Sequence, residues 1–130
     1  MKKFWLLITM VVVVLSLVTG CTAGGEIKAY TDSGRELSVK ANQEFMIALG
    51  ANPTTGYDWE ASYDESLLKL VRKQYEPGKE AKEGLVGAGG VDYFRFKALK
   101  TGKTQITMDY KRSWEGQSIE QKVFTVNIVE

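Results

Sequence analysis

Apolar and polar residues alternate with a period of two along most of the chain, and this alternation limits the folds that the chain can adopt. Six segments carry the pattern clearly: 45–49, 57–63, 67–75, 91–98, 104–111 and 119–129. Successive side chains of a β-strand point to opposite faces, so a period of two is typical of half-buried strands. Two weaker candidates, 27–30 and 36–40, precede them. The only helical candidate, 80–84, is short and charged, so the pattern predicts an all-β chain.

The number and length of these segments predict how the strands pack. About eight short strands within residues 27–130 fit one domain of two packed sheets, so we predict an immunoglobulin-like β-sandwich. An irregularity is expected near Val71, inside the third strong segment. The inward-facing apolar residues of the strong segments should form the core. They are Phe45, Ile47, Leu49, Trp59, Leu68, Leu70, Phe94, Phe96, Ile106, Met108, Phe124, Val126 and Ile128.

Residues 1–20 have the order of a secretory signal peptide. Two early lysines are followed by an almost unbroken apolar run over 4–17, and "LVTGC" then ends at Cys21. This ending resembles the bacterial lipobox, which implies that Cys21 is diacylated and becomes the new N-terminus. We expect an extracytoplasmic, membrane-anchored lipoprotein of a bacterium, with residues 21–26 as its lipidated N-terminus and linker. An uncleaved membrane anchor is the alternative.

The composition argues against several classes of function. The chain has no histidine and a single cysteine, which removes Ser-His and Cys-His catalysis and the commonest zinc ligand. Of the 17 basic side chains, Lys2 and Lys3 leave with the signal peptide, so 15 remain against 16 acidic ones. Such a balance gives no electrostatic footprint for nucleic acid. We therefore expect a monomer that is not an enzyme and that has no cofactor, metal or nucleic-acid partner.

The unusual loop residues fall in connections at one end of the predicted sandwich. Neighbouring strands run antiparallel, so every second connection emerges at the same pole, and these connections are 50–56, 76–90 and 112–116. The opposite pole has only polar turns at 64–66 and 100–102. Each loop taken alone has a purely structural explanation as a turn. Their coincidence at one pole favours a binding surface, because binding residues gather on loops held by a rigid scaffold.

Three short motifs in these connections are similar to those of a known family. "NPTTGY" at 52–57, "GAGG" at 87–90 and "RSW" at 112–114, in this order and at these intervals, resemble the loop motifs of the chagasin family. That family comprises inhibitors of papain-like cysteine proteases with an immunoglobulin-like fold. The third motif has Ser113 where the family usually has proline. The resemblance implies a reversible, competitive inhibitor whose loops 52–57, 87–90 and 112–116 enter the protease cleft.

The resemblance also implies a role for each loop. Thr54 and Thr55 would meet the thiolate–imidazolium pair of the protease, while Pro53 and Gly56 would hold the first loop in its bound shape. Backbone groups of the second loop would pair with the groove as an added strand. The implied protease-binding residues are Asn52, Pro53, Thr54, Thr55, Gly56, Tyr57, Gly87, Ala88, Gly89, Gly90, Arg112 and Trp114. The alternative function is a surface-anchored adhesion or assembly module that binds a non-protease protein or a glycan through the same loops.

Overall fold

Eight strands and two short helical turns make up the part of the chain that the structure describes. The structure is a computed structural model, and it describes residues 27–84 and 87–130. The predictions for residues 1–26, including the lipidation of Cys21, lie outside the described residues. A 3₁₀ turn spans Pro53–Thr55, and the short helix α1 spans Lys79–Lys82. The strands are β1 (Ala29–Tyr30), β2 (Glu36–Lys40), β3 (Glu44–Ala51), β4 (Tyr57–Ser62), β5 (Leu68–Pro77), β6 (Gly90–Ala98), β7 (Gly102–Arg112) and β8 (Glu120–Val129).

The strands form two four-stranded sheets. One sheet has the order β1-β3-β6-β5 and the other has the order β2-β8-β7-β4. β6 lies antiparallel between β3 and β5, and β7 lies antiparallel between β4 and β8. β1 runs parallel to β3, and β2 runs parallel to β8. The predicted all-β sandwich of about eight strands is therefore confirmed. In the described ranges no helix has the length and apolar character needed to cross a membrane.

The weaker sequence signals have mixed outcomes. The candidate at 36–40 coincides with β2, whereas only Ala29–Tyr30 of the candidate at 27–30 forms a strand. The irregularity expected near Val71 is a register shift between Leu70 and Arg72 in the pairing of β5 with β6. The helical candidate at 80–84 corresponds to the single turn of α1. This turn begins at Lys79, one residue before the predicted start, and ends at Lys82.

Inward-facing side chains of both sheets form one hydrophobic core. Every predicted core residue is buried except Leu70, which is only partly buried and packs at the periphery of the core. β5 is the edge strand of its sheet, and the register shift follows Leu70 directly, so this side chain is covered from one side only. Phe45 stacks on Phe96 with ring centroids 5.7 Å apart, and Tyr63 meets Phe96 edge-on at 5.2 Å. Buried apolar residues that the pattern did not predict are Leu37, Val39, Ala48, Ala51 and Ala98.

The strand register brings the three unusual connections to one end of the sandwich. Ala51 and Pro77, at the ends of β3 and β5, both pair with Gly90 at the start of β6. Tyr57, at the start of β4, pairs with Arg112 at the end of β7. The short connection from β3 to β4 places these ends of the two sheets side by side. The connections after β3, β5 and β7 therefore share one end, here called the loop pole, as the antiparallel argument predicts.

Candidate functional site

The first loop is a 3₁₀ turn closed by its own hydrogen bonds. Asn52 has an extended backbone, and its side-chain Oδ1 accepts a hydrogen bond from the Thr54 N–H at 3.2 Å. The Asn52 carbonyl accepts two more, from the Thr55 N–H at 3.2 Å and from the Thr55 hydroxyl at 2.7 Å. Pro53 stands at the first position of the turn, where its fixed φ is favourable and an N–H would have no partner. The loop is therefore shaped before anything binds to it.

Gly56 ends this turn, and two physical reasons require a glycine there. Its φ of +82° lies in the left-handed region, which disfavours side chains. A Cβ on Gly56 would also lie 3.0 Å from the Cη2 atom of Trp114. Its N–H donates to the Pro53 carbonyl at 3.1 Å, which completes the turn. Gly56 thus lets the tryptophan of the third loop lie directly against the first loop.

The aromatic residues that follow the first loop anchor its base. The Trp59 indole N–H donates to the Gly50 carbonyl at 2.9 Å, so a residue after the loop is tied to a residue before it. Tyr110 stacks on Trp59 with centroids 4.7 Å apart, and its hydroxyl accepts from the Asn52 N–H at 3.1 Å. Tyr57 packs against Tyr110 at 5.5 Å. This aromatic base keeps the projecting turn in a fixed position.

The second loop is tied to the first by one side chain. The Asn52 Nδ2 amide donates to the Gly87 carbonyl at 2.7 Å. A Cβ on Gly89 would lie 2.9 Å from the Ala51 carbonyl oxygen, so the second loop passes close to the end of β3. Asn52 therefore caps the first loop and holds the second loop beside it.

Gly89 and Gly90 are engaged within the sandwich. The Gly89 carbonyl accepts from the Gly78 N–H at 3.1 Å, and Gly90 is the first residue of β6. A Cβ on Gly90 would overlap the Glu76 carbonyl oxygen and lie 2.7 Å from the Tyr75 hydroxyl. Packing of the fold thus accounts for the diglycine. The more exposed backbone of this loop is at Gly87, which has φ +85°.

The third loop is tied to the first by Arg112. The Arg112 Nε donates to the Thr55 carbonyl at 3.2 Å. Its guanidinium lies 4.4 Å from the ring centroid of Tyr57 and 5.8 Å from that of Trp114, within the range of cation–π contacts. The guanidinium also makes a side-chain contact with Glu115 at 3.5 Å. Trp114 nevertheless keeps 71% of its surface exposed.

The structure brings all the predicted binding residues together at the loop pole. Their exposure differs, because some support the surface and others form it. The exposed ones are Pro53, Thr54, Thr55, Gly56, Gly87 and Trp114. The partly buried ones are Asn52, Tyr57, Ala88, Gly89, Gly90 and Arg112. The three loops thus form one surface joined by two bridging side chains, Asn52 and Arg112.

Sequence reasoning missed a charged cluster beneath the first loop. A cavity of about 310 Å³ opens beside Pro53 and Gly56, and Asp58, Lys73 and Asp92 line it. Asp92 is 3% exposed, and this burial raises the pKa of its carboxyl to about 6, with Lys73 acting in the opposite direction and Asp58 adding to the rise. One signal was available: Asp92 shares the inward-facing parity of Phe94 and Phe96, so a carboxylate stands at a core position.

Comparisons with known sequences place the chain in a family. Residues 38–128 match the family model described as Chagasin family peptidase inhibitor I42. Chagasin from Trypanosoma cruzi is 31% identical over 100 residues, which cover 72% of this chain and 87% of chagasin. Amoebiasin-2 from Entamoeba histolytica is 27% identical over 113 residues, which cover 87% of this chain and 91% of that protein.

Solved structures show the same architecture. The crystal structure of a cysteine protease inhibitor from Entamoeba histolytica has a TM-score of 0.63 at 26% identity, covering 81% of this chain and 99% of that one. The solution structure of Amebosin has a TM-score of 0.66 at 25% identity, covering 80% of this chain and 99% of that one. The immunoglobulin-like sandwich and the sequence matches agree. The chain belongs to the chagasin family of peptidase inhibitors.

Proposed function

We propose that the chain is a reversible, competitive inhibitor of papain-like cysteine proteases, and that loops 52–57, 87–90 and 112–116 enter the active-site cleft together. Membership of the chagasin family supports this, as does the solved relative that is a cysteine protease inhibitor. The observation that carries the proposal is the pair of bridging side chains. Asn52 and Arg112 join three loops from separate strands into one surface, which reduces the ordering cost of binding.

The first loop has a shape that a protease can bind but cannot readily cleave. Papain-like clefts take substrate in an extended conformation, whereas the Asn52 and Pro53 carbonyls are hydrogen-bonded inside a 3₁₀ turn. Opening this turn would break those bonds and the Arg112 contact with the Thr55 carbonyl. Thr54 and Thr55 stand exposed on the turn, so they would face the thiolate–imidazolium pair without presenting an extended peptide bond.

Among the described residues of the loop pole, Trp114 supplies the largest exposed apolar surface. With 71% of its surface exposed, it can bury a large area against a cleft wall. Buried tryptophan and arginine residues are the types that most often dominate interface energies. Arg112 and Gly56 hold the indole ring near the first loop, so the two contacts with a protease would form together.

The test compares substitutions at the loop pole with a matched substitution at the opposite end. Residues 22–130 are assayed against a small panel of papain-like enzymes at several substrate concentrations, and a competitive pattern is expected. Thr55→Arg and Trp114→Ala should each raise the inhibition constant, Trp114→Ala by about thirtyfold if it is a central anchor. Thr101→Arg, in the exposed turn between β6 and β7, is the control and should inhibit like the parent. Equal inhibition by all four proteins would refute the assignment of the binding surface.

Membrane anchoring through Cys21 is the second part of the proposal. The supporting observations are the "LVTGC" ending of the apolar run and the direction of β1. Ala29 pairs in parallel with Met46 and Tyr30 with Ile47, so the chain enters β1 from the end opposite to the loop pole. A lipid at Cys21 would therefore leave the loops facing away from the membrane, where a protease can reach them.

Fractionation of cells tests the anchor. Cys21→Ser should remove lipid labelling and move the protein out of the membrane fraction, or leave it as an uncleaved precursor. The released Cys21→Ser chain should inhibit a papain-like enzyme as well as the parent, because Cys21 precedes the described sandwich. Lipid labelling that persists in the variant would exclude a lipid at this cysteine.

A further inference from the structure

The cluster beneath the first loop joins the free edges of the two sheets. β4 and β5 are edge strands of different sheets, and the Lys73 ammonium on β5 lies 2.6 Å from the Asp58 carboxylate on β4. The same ammonium donates to the Trp59 carbonyl at 3.1 Å. The other Asp58 oxygen accepts from the Trp59 N–H at 2.9 Å. These contacts hold β4 against β5 immediately after the first loop ends.

Asp92 completes the cluster from the floor of the cavity. It lies on β6, where it pairs with Leu49 of β3 and Tyr75 of β5. From β3, only Ala51, which is apolar, lines the cavity, so no ionisable group faces Asp92 from that strand. The titratable groups that face the cavity are Asp58 and Tyr57 from β4 and Lys73 and Tyr75 from β5. Two carboxylates and one ammonium therefore share a space that Pro53 and Gly56 of the first loop also line.

The charge of this cluster depends on one proton. When Asp92 is protonated, Asp58 and Lys73 form a neutral pair, and the Asp92 hydroxyl can donate to the Asp58 carboxylate. When Asp92 is ionised, two carboxylates compete for a single ammonium and one of them is almost fully buried. A buried charge with incomplete compensation is costly, and water entering the cavity relieves that cost. Pro53 and Gly56 of the first loop line the same cavity, so water that gathers around an ionised Asp92 would act on the packing of this loop.

We infer that Asp58, Lys73 and Asp92 form a proton-dependent latch that holds the first loop in its binding shape in acidic solution and loosens it near neutral pH. The inference rests on the proposed inhibitory function, because the loop is assigned to the protease cleft there. Burial of Asp92 raises its pKa to about 6, which places the change of charge between mildly acidic and neutral solution. The latch thus makes this inhibitor most effective against a protease that works in an acidic environment.

The test measures inhibition of one papain-like enzyme at pH 5 and pH 7.5 by the parent and by Asp92→Asn. The asparagine keeps the shape and a hydrogen-bond donor but carries no charge. The ratio of the two inhibition constants at each pH cancels the titration of the protease itself. The parent should lose affinity relative to Asp92→Asn by about fivefold or more between the two pH values. A ratio that is the same at both pH values overturns the latch and leaves the inhibitory function standing.

Two further results keep the test decisive. Asp58→Asn, which removes the other carboxylate, should also flatten the pH dependence, and an unchanged dependence in both variants refutes the latch. Trp59 fluorescence of the free parent should change between pH 5 and pH 7.5, since the Trp59 backbone is held by Asp58 and Lys73. If the fluorescence of Asp92→Asn changes by the same amount between these pH values, another group causes the change and the inference is overturned. A parent that inhibits at neither pH refutes the proposed function together with the latch.

Discussion

Replacement of Asn52 tests whether the first two loops bind as one unit. Asn52 does two separate things: its Oδ1 accepts from the Thr54 N–H, and its Nδ2 donates to the Gly87 carbonyl at 2.7 Å. Asn52→Asp keeps an acceptor for Thr54 but removes the donor and places a carboxylate against the Gly87 carbonyl. Asn52→Ala removes both functions. The pair of variants therefore separates the link between the loops from the closure of the turn.

The expected magnitudes follow from the number of hydrogen bonds lost. A typical intramolecular hydrogen bond contributes about 1 kcal/mol net, and this one is solvent-exposed. Asn52→Asp should therefore weaken inhibition by about 1 to 1.5 kcal/mol, or roughly five- to tenfold, with the added repulsion included. Asn52→Ala also removes the Oδ1 that accepts from the Thr54 N–H and from the Thr54 hydroxyl, so a loss of about 2 kcal/mol, or roughly thirtyfold in affinity, is expected.

The assay is an inhibition constant against one papain-like enzyme for each variant, measured beside its thermal midpoint. Asn127→Asp is the matched control, because it makes the same chemical change on β8, near the end opposite to the loop pole. That control should inhibit like the parent. If Asn52→Asp also inhibits like the parent, the second loop is not held in place by Asn52 when the protease binds. If both Asn52 variants inhibit like the parent, the hydrogen bonds of Asn52 do not preorganise the loops for binding.

The remaining predictions concern stability and the third loop. Phe96→Ala should lower the free energy of unfolding by about 3 to 5 kcal/mol in denaturant titrations, and a loss below about 1 kcal/mol would contradict its place in the core. Gly90→Ala should cost about 3 kcal/mol in the same assay, because its Cβ would overlap the Glu76 carbonyl oxygen; no loss would mean that the strands shift apart freely. Ser113→Pro should tighten inhibition by up to about 1 kcal/mol, since the Glu115 N–H bond to the Arg112 carbonyl places residue 113 at the turn position that favours proline; weaker inhibition would show that the turn rearranges. The raised pKa of Asp92 favours the protonated folded state, so the contribution of Asp92 to stability should be fully present below pH 4 and be lost as pH rises to about 6, by on the order of 2 to 3 kcal/mol; a pH-independent difference between the parent and Asp92→Asn would refute this.

The alternation of apolar residues determined much of the fold by itself. Period two assigns each residue to a face, so Phe94 and Phe96 could be placed in the core from the sequence. Antiparallel succession of strands then placed the three unusual connections at one end. The glycine at position 56 was also readable as a turn residue, because a left-handed backbone excludes most side chains. Each of these inferences depends only on residues that are close together in the sequence.

Partners that are distant along the chain were decided by the tertiary structure alone. Alternation shows which face of a strand is buried but not which strand lies beside it. The parallel pairing of β1 with β3 and of β2 with β8 therefore had no signal in the sequence. The bond from Asn52 to Gly87 spans 35 residues and that from Arg112 to Thr55 spans 57. The first depends on the pairing of β3 with β6, and the second on the pairing of β4 with β7. The burial of Asp92 could be read from its parity, but its raised pKa comes mainly from desolvation and depends on the enclosure that the folded sandwich provides. Local periodicity thus determined which residues face inward, whereas the pairing of strands that are distant in sequence, together with the stacking of the sheets, decided which polar groups meet at the loop pole.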